Sequence, residues 1–290
     1  MVRARVSVIL PAWNSQDTVA ACLESLRAQS FRDFEVILVD SSPNQETDEL
    51  VRKRFPEVHL HRSASRLWPH AARNLGVTLA RGEVLVFSDP DCVMTPDWLE
   101  RLVAASDDGH PLAGGAVASL HEGWFPTGVH LCKYGWWLPG GRAGTRPALP
   151  SANVSYTREL FERIGPFPEE WCGDTMLAQR AVAIGVAPWF EPRARILHDQ
   201  LTTWPAFLRE RWQRGYDYGT VRPRVEGWSR ARSLAYVAAT PLIVAVMLIR
   251  ALRYAMASGH LTILVRCLPV VAMGCGAWSW GEATAHWGAA

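Results

Sequence analysis

Two aspartates close an apolar run near residue 90. Residues 84–88 are predicted to form a buried strand, and Asp89 and Asp91 follow it on either side of Pro90. In open α/β sheets, ligands bind in the crevice at the carboxyl ends of the strands. Carboxylate oxygens at that place suit Mg²⁺ or Mn²⁺, and such a cation bridges to phosphate groups. The pattern predicts a metal-dependent phosphate site, although any loop with two acids gives the same short sequence.

A second carboxylate stands where a general base could lie. Asp174 precedes a helical apolar pattern formed by Met176, Leu177 and Val182, with Trp171 nearby in sequence. An indole beside a carboxylate can desolvate it and raise its pKa, which suits a general base. Aspartate before such a run is also a common helix N-cap. From the residues alone, both interpretations of Asp174 stay open.

The elements that would position these side chains follow from the N-terminal half of the chain. Short apolar runs alternate there with amphipathic segments. The runs predict strands at residues 6–10, 36–39, 58–60 and 84–88. The amphipathic segments between them predict helices, the second and third over residues 45–55 and 70–80. Strands alternating with helices predict a mostly parallel sheet that is covered on both faces.

The turn after the first predicted strand contains no glycine-rich phosphate loop. A dinucleotide-binding fold would place G-x-G-x-x-G there, and a P-loop G-x-x-x-x-G-K. The turn instead reads Pro11-Ala12-Trp13-Asn14. Phosphate must therefore be held in another way, and a cation on Asp89 and Asp91 is the available means.

Composition narrows the class of protein. The 290 residues include 30 basic and 28 acidic side chains, a formal charge of +2, so no nucleic-acid-binding footprint is expected. The six cysteines have no C-x-x-C spacing and indicate no zinc site. The first predicted strand begins within a few residues of the start, with no apolar signal region before it. Reduced thiols that face the cytosol are therefore expected.

The C-terminal segment is apolar. Residues 233–249 and 267–281 carry no charge and show no polar face, and each run contains one proline. The 17 residues of the first run make about 26 Å of helix, just under the ~30 Å hydrocarbon core of a bilayer. We expect a helical hairpin over residues 233–290 that inserts into a membrane. Buried helices of a soluble domain are the alternative, and arginines around the short connection weaken the case for a full crossing.

Four groups of residues together form a recognisable pattern. They are Val6–Asn14; Glu35–Ser42; Ala72–Gly76 and Ala80–Glu83 ahead of Asp89–Asp91; and Ser151–Asn153 with Ile164–Phe167 and Gly173–Thr175. In this order they resemble the inverting glycosyltransferases of family 2, which have the GT-A fold. Two positions depart from the family's pattern, because Ser41 replaces a second acid and Gly173 stands where glutamate commonly precedes the base.

The resemblance implies a domain organisation. Residues 1–220 would form the GT-A domain, a Rossmann-like, mostly parallel sheet flanked by helices. Residues 221–232 would form a basic connector, and residues 233–290 the hydrophobic hairpin. Arginine-rich segments next to a membrane helix face the cytoplasm under the positive-inside rule. The catalytic domain is therefore expected on the cytoplasmic side of a membrane.

The resemblance also implies roles for single residues. Asp174 would deprotonate the acceptor hydroxyl, Asp91 would bind Mg²⁺ or Mn²⁺, and Asp89 would reach the ribose or a metal-bound water. His198 would join the metal or the diphosphate. The remaining nucleotide-sugar contacts are expected from Pro11, Trp13, Asn14, Asp40 and Arg73. Contacts with the acceptor or its phosphates are expected from Trp171, Arg211, Gln213 and Arg214.

Each of these roles has a simpler alternative. Asp40 could be an ordinary turn aspartate, Arg73 a solvated helix arginine, and His198 a structural histidine. The basic residues from Arg211 to Arg214 could form a solvated face near a membrane. The residues alone leave these alternatives open.

The predicted function is the inverting transfer of a sugar from a nucleoside diphosphate sugar to an acceptor hydroxyl. The acceptor would be a glycan or a lipid-linked molecule, and the enzyme would be membrane-associated. A sugar-1-phosphate nucleotidyltransferase is one alternative, but it would need a glycine-rich, basic loop after the first strand. A membrane-anchored protein that binds nucleotide sugars without catalysis is the other.

Overall fold

The structure is a computed structural model that describes residues 4–169, 172–200 and 202–288. The chain forms two compact units. Unit 1 comprises residues 1–118 and 142–199, and unit 2 comprises residues 119–141 and 200–290. The expected domain boundary at residue 220 falls inside a helix of unit 2, Trp204–Glu226.

The first half of the unit 1 sheet is parallel and alternates with helices, as predicted. Its strands, in spatial order β3-β2-β1-β4, are β1 (Val6–Ala12), β2 (Phe34–Asp40), β3 (His59–Arg62) and β4 (Val84–Ser88). The connecting helices are α1 (Val19–Arg27), α2 (Glu46–Arg54) and α3 (Pro69–Leu79). β1 and β4 are buried along their whole length, which explains their continuous apolar sequences.

The second half of the sheet is antiparallel, so the sheet as a whole is mixed. Its strands are β5 (Cys92–Met94), β6 (Leu112–Ser119), β7 (Gly144–Thr145), β8 (Asn153–Thr157) and β9 (Trp189–His198). From β4 the order continues β8-β6-β9-β5, and β7 pairs with β9. The accompanying helices of unit 1 are α4 (Trp98–Asp107), α6 (Arg158–Ile164) and α7 (Gly173–Ala183). Antiparallel pairing of β8 with β4 places Asn153 opposite Ser88, at the carboxyl end of β4.

Asn153 joins three elements in the core of unit 1. Its buried Nδ2 donates to the backbone carbonyls of Ala116 at 3.0 Å and Ala194 at 2.9 Å. Its Oδ1 accepts from the indole of Trp98 at 2.8 Å. The side chain therefore satisfies polar groups of β6, β9 and α4, which would be costly to leave unpaired in the core.

A second network fixes the turn that precedes β4. The buried carboxylate of Glu35 accepts from the hydroxyl of Ser7 and from the backbone N–H of Arg81, both at 2.7 Å. The Ser7 hydroxyl also accepts from the N–H of Gly82 at 2.7 Å. A Cβ at residue 82 would lie 2.5 Å from the Ser7 nitrogen, so only glycine fits there. The Arg81-Gly82-Glu83 segment thus holds β4 against β1.

Unit 2 is helical in its described residues. It contains α5 (Trp124–Tyr134), α8 (Trp204–Glu226), α9 (Arg230–Ala238), α10 (Thr240–Ala257) and α11 (Leu261–Gly288). α10 and α11 contain most of the two predicted apolar runs, but residues 233–238 of the first run belong to α9, which ends before a turn at Ala239. Both are long and apolar enough to cross a membrane, with mean hydropathies of 1.5 and 1.7 over 18-residue windows. Pro241 lies in the first turn of α10, where proline is tolerated, whereas Pro269 lies inside α11.

The backbones of α8 and α11 are in contact, and glycines make this close approach possible. A Cβ at Gly215 would lie 2.0 Å from the carbonyl oxygen of Trp278, and one at Gly281 would lie 2.0 Å from that of Trp212. We expect Gly215→Ala to lower the melting temperature by several degrees, because overpacking of this kind costs roughly 1–3 kcal/mol. The higher helix propensity of alanine would by itself stabilise the variant by about 1 kcal/mol. A lower melting temperature would therefore come from the close packing and not from propensity.

Gly276→Ala is the matched control for this prediction. A Cβ at Gly276 meets no atom within 4 Å, so this variant should keep or raise the melting temperature. Thermal unfolding of both variants in the same detergent would measure the difference. Equal melting temperatures for the two variants would contradict the close packing of α8 on α11.

Candidate active site

The pairing of β5 with β9 brings Asp91 and His198 together. His198 is the last residue of β9 and lies opposite Cys92, the first residue of β5. The Nε2 atom of His198 is therefore 3.7 Å from Oδ1 of Asp91. His198 is buried, while the Asp91 side chain is 36% exposed. With Cys92 they form a group whose ligand atoms all lie within 4.8 Å of one another.

Cys92 adjoins this pair, although the sequence motifs did not predict it as a site residue. Burial, followed by the charges of Asp91 and Asp89, raises the pKa of the Cys92 thiol well above its usual range. The neutral thiol is 3.7 Å from Asp91 Oδ1, to which it donates, and a neutral thiol is a poor ligand for a hard cation. The donor set that fits a divalent cation is thus the Asp91 carboxylate with the His198 imidazole, and Cys92 orients the carboxylate.

The protonation of Asp91 predicts how Mn²⁺ binding depends on pH. Burial raises the pKa of Asp91, the charge of Asp89 adds to this, and His198 opposes it. A cation competes with the proton for the carboxylate, so a raised pKa moves the loss of binding to a higher pH. We expect the rise in melting temperature caused by Mn²⁺ to be small at pH 5 and to increase up to pH 8. A shift independent of pH, measured by differential scanning fluorimetry, would contradict a carboxylate ligand.

Arg73 is buried and forms an ion pair with Asp89. It lies on α3 with 2% of its surface exposed, and its guanidinium contacts the Asp89 carboxylate. The alternative of a solvated helix arginine is therefore wrong. Asp89 keeps 25% of its side chain exposed, so it can still face a ligand while Arg73 offsets its charge.

His70 also faces this group, and its role was not predicted. Its Nδ1 lies 3.4 Å from Nη1 of Arg73, and its ring stacks on Phe167. Burial, and secondarily the charge of Arg73, lowers the pKa of His70 to about 4. The signal in the sequence is its position three residues before Arg73, which places both on one face of α3.

Asp174 lies in the first turn of α7. The residue before the helix is Cys172, which has a left-handed backbone with φ of 65°, so the N-cap interpretation of Asp174 is wrong. Its Oδ1 accepts from the N–H of Thr175 at 2.8 Å, and its Oδ2 from that of Ser151 at 3.4 Å. The half-buried carboxylate stays at the positive end of the helix dipole. Trp171, predicted beside it, lies outside the described residues.

The predicted nucleotide-binding residues lie where β1 and β2 end. Asp40 is fully buried, and its Oδ1 accepts from the N–H of Ser42 at 2.9 Å and from the Ser42 hydroxyl. The other oxygen, Oδ2, lies 4.0 Å from Nη1 of Arg62. Pro11 is buried within β1, opposite Val39. The serine contacts show that Asp40 also orders its own turn.

Trp13 and Asn14 form the turn that follows β1. Asn14 has φ of 50°, and its N–H donates to the Ser42 hydroxyl at 2.8 Å, which ties this turn to the end of β2. The guanidinium of Arg66 lies 4.3 Å from the ring centroid of Trp13 and 4.5 Å from that of Trp68. The Arg66 guanidinium thus contacts both indole rings at this edge of the sheet, and neither Arg66 nor Trp68 was predicted as a site residue.

The residues predicted to bind the acceptor lie on α8 in unit 2, where each has a local partner. Arg211 is buried, lies over the ring of Trp278 at 4.5 Å, and has Nε 3.5 Å from the Gly274 carbonyl oxygen. The side chains of Gln213 and Arg214 donate at 2.9 Å to Asp217 and Glu210 respectively. Their acceptor role stays a prediction.

Comparison with known proteins identifies relatives of the chain. The family profile "Glycosyl transferase family 2" matches residues 7–158. The chain is similar to the glycosyltransferase AglE of Haloferax volcanii, with 26% identity over 209 residues that cover 69% of this chain and 67% of AglE. It is also similar to an undecaprenyl-phosphate 4-deoxy-4-formamido-L-arabinose transferase of Aeromonas hydrophila. There the identity is 28% over 180 residues, which cover 54% of this chain and 53% of the relative.

A solved structure shares the fold. The mannosyltransferase PcManGT from Pyrobaculum calidifontis, in complex with GDP-Man and Mn²⁺, superposes with a TM-score of 0.59 at 18% sequence identity. The match covers 93% of this chain and 88% of that chain. This likeness confirms the predicted GT-A fold.

Proposed function

This chain belongs to glycosyl transferase family 2, and from that membership we propose that it is an inverting, metal-dependent glycosyltransferase. It moves a sugar from a nucleoside diphosphate sugar to an acceptor hydroxyl. The observation that carries the proposal is the Asp91–His198 pair of unit 1, 3.7 Å apart, in which Asp91 follows β4 and His198 ends β9. Asp89 lies two residues before Asp91 and forms an ion pair with Arg73. Its charge helps to raise the pKa of Asp91.

Asp174 is the proposed base. It accepts the proton of the acceptor hydroxyl while that oxygen bonds to the anomeric carbon, and the bond to the diphosphate breaks, so the diphosphate leaves with the electron pair. Backbone N–H groups of Ser151 and Thr175 hold the carboxylate in place. Displacement in a single step from the opposite face inverts the configuration of the sugar.

Asp91 and His198 are the proposed ligands of the cation. When bound, Mg²⁺ or Mn²⁺ supplies positive charge that offsets the charge developing on the departing diphosphate, an effect worth several kcal/mol. PcManGT was solved with Mn²⁺, which supports a cation of this class. Asp89 is proposed to face the ribose or a water on the cation.

The nucleotide is proposed to bind at the ends of β1 and β2. Oδ2 of Asp40 is buried and has no hydrogen-bond partner among the described residues, and it is the oxygen proposed to accept from an N–H of the base. Trp13 offers a ring face, while Pro11 and Asn14 shape the turn beneath it. Arg73 reaches the same ligand next to Asp89.

The acceptor is proposed to be lipid-linked or a glycan of the cell envelope. The relative from Aeromonas hydrophila is named as a transferase that acts with undecaprenyl-phosphate, which supports a lipid-linked acceptor here. Arg211, Gln213, Arg214 and Trp171 are the proposed contacts, since guanidinium groups suit phosphate oxygens.

Membrane association is proposed through residues 233–290. Only 6% of the apolar window of α10 is buried, which fits a helix facing lipid better than a core helix of a soluble domain. Arginines of the connector over residues 221–232 would keep the catalytic unit on the cytoplasmic side. The protein should stay in the membrane fraction after washes with high salt and with carbonate.

A donor screen tests the proposed function. Protein purified in detergent is incubated with GDP-mannose, UDP-glucose, UDP-galactose and related nucleotide sugars, and the release of nucleoside diphosphate is measured with Mn²⁺, Mg²⁺ or EDTA. We expect release from at least one donor with a cation and none with EDTA. Consumption of a nucleoside triphosphate together with a sugar phosphate would overturn the proposal in favour of a nucleotidyltransferase.

A further inference from the structure

His70 lies between the two carboxylate groups of the candidate active site. It stands in the first turn of α3, one turn before Arg73, the partner of Asp89. Asp89 and Asp174 are both close enough to favour its protonated form electrostatically. The imidazole therefore adjoins the proposed diphosphate end of the site and the proposed base.

Two contacts fix the orientation of the His70 ring: stacking on Phe167 and a hydrogen bond with Arg73. The ring stacks on Phe167 with centroids 5.3 Å apart and planes 14° from parallel. Phe167 is itself held by Asn74, whose side chain donates to its carbonyl and accepts from its N–H, both at 2.9 Å. The Asn74 and Phe167 positions of the family pattern thus support a histidine that the pattern does not include.

The hydrogen bond with Arg73 determines which nitrogen carries the proton. A guanidinium only donates, so Nδ1 of His70, 3.4 Å from Nη1 of Arg73, must accept. In the neutral ring the proton is then on Nε2. Since the pKa of His70 is lowered to about 4, the ring is neutral at physiological pH and is a donor at Nε2.

Nε2 points to the beginning of α7. A Cβ placed on Gly173 would lie 3.0 Å from Nε2 and 2.8 Å from Cδ2, and the next residue is Asp174. Among the described residues, the hydrogen bonds of His70 include none to Nε2. Glycine at position 173 leaves room for this edge of the ring, which the Cβ of an alanine would crowd.

We infer that His70 is a donor-sugar contact, whose Nε2–H donates to a sugar hydroxyl and helps to select the sugar. The inference rests on the proposed function. In a nucleotide sugar, the sugar lies between the diphosphate, proposed at Asp89 and Asp91, and the acceptor oxygen, proposed at Asp174. His70 adjoins both ends, and its neutral N–H suits a neutral hydroxyl better than a phosphate.

Substitutions of His70 test the inference on the donor that the wild type prefers. His70→Ala should raise KM for the nucleotide sugar about tenfold, as expected for one lost hydrogen bond. The affinity for the matching nucleoside diphosphate, measured by calorimetry with Mn²⁺, should stay within about twofold of wild type. His70→Gln, which keeps an N–H donor of similar reach, should restore most of the loss.

The preference between two epimeric donors distinguishes a sugar contact from a structural role, because a purely structural defect would lower activity with both donors alike. UDP-glucose and UDP-galactose differ only in the configuration of one sugar hydroxyl. The ratio of their kcat/KM values should change in His70→Ala. His59→Ala is the matched control, because His59 lies on β3 with its side chain 52% exposed, and it should change neither KM nor the ratio. If these epimers are not used, the same comparison is made with the preferred donor and its epimer.

The outcomes separate this inference from the proposed function. An equal loss of affinity for nucleotide sugar and nucleoside diphosphate in His70→Ala would overturn the inference, as would unchanged KM and donor ratio. If His70→Ala fails to fold, the same readouts on His70→Gln and His70→Leu decide, with the leucine variant losing the contact. A wild type that neither binds nor cleaves any nucleotide sugar would instead contradict the proposed function.

Discussion

Asp174→Asn should reduce sugar transfer by roughly 10²–10⁴-fold, the usual contribution of a positioned general base. Asparagine has nearly the same shape, and its Oδ1 can still accept from the N–H of Thr175. Its amide nitrogen cannot accept from Ser151, whose contact is the longer one at 3.4 Å, and the side chain cannot take up a proton. KM for the donor and the affinity for nucleotide sugar should therefore change little. Initial rates and calorimetric titration of the variant measure the two quantities separately.

Asp108→Asn is the control for this substitution. Asp108 is exposed at the end of α4 in the same unit, so the variant should retain wild-type rates. Asp174→Asn with nearly full activity would show that Asp174 is not the base. A parallel loss of binding and catalysis would point to a structural role for the carboxylate.

Asp91→Ala should abolish detectable transfer and Mn²⁺ binding. The variant removes the one oxygen ligand of the Asp91–His198 pair, and the charge compensation at the diphosphate is worth several kcal/mol, or about 10³-fold or more in rate. His198→Ala keeps the Asp91 carboxylate, so its Mn²⁺ affinity should fall less than that of Asp91→Ala and stay measurable. Mn²⁺ titrations and rates at saturating Mn²⁺ would rank the two variants.

Cys92→Ala tests whether the Cys92 sulfur binds the metal or only donates a hydrogen bond to Asp91. If Cys92 only orients Asp91, as the neutral thiol 3.7 Å from Oδ1 indicates, the alanine variant keeps Mn²⁺ binding within about tenfold, the cost of one weak hydrogen bond. A loss as large as that of Asp91→Ala would show that the sulfur binds the metal.

Local sequence patterns were sufficient for the parallel half of the sheet. β1, β2 and β4 are buried apolar runs, and the helices that connect the strands have their own periodicity, whereas β3 is polar and partly exposed. The same apolar runs predicted that Asp40 ends β2 and that Asp89 directly follows β4. Such patterns depend only on neighbours in sequence, which is why they can be read without a structure.

The antiparallel half and much of the site depend on long-range pairing. His198 approaches Asp91 only because β9 pairs with β5 in the register that sets Cys92 opposite it. The burial of Arg73 follows from its pairing with Asp89, 16 residues away. His70 becomes notable only once Gly173 and Phe167, about 100 residues later, are placed against it.

The proline positions in unit 2 show how local context decides the effect of one residue. Pro241 lies within the apolar run of residues 233–249, but it stands in the first turn of α10, which begins at Thr240 after a turn at Ala239. Pro269 lies inside α11, which continues through it. The start of a helix leaves N–H groups free in any case, so proline there costs little.

The binding of a nucleoside diphosphate with and without Mn²⁺ tests the central claim most directly. GDP and UDP are titrated by calorimetry into the wild type and into Asp91→Ala, in the presence of MnCl₂ or EDTA. A cation held by Asp91 and His198 predicts that the wild type binds one of them tightly only with Mn²⁺, and that Asp91→Ala loses this dependence together with the affinity. Equal affinity in EDTA, or unchanged Mn²⁺-dependent binding in Asp91→Ala, would contradict a metal-held diphosphate at this site.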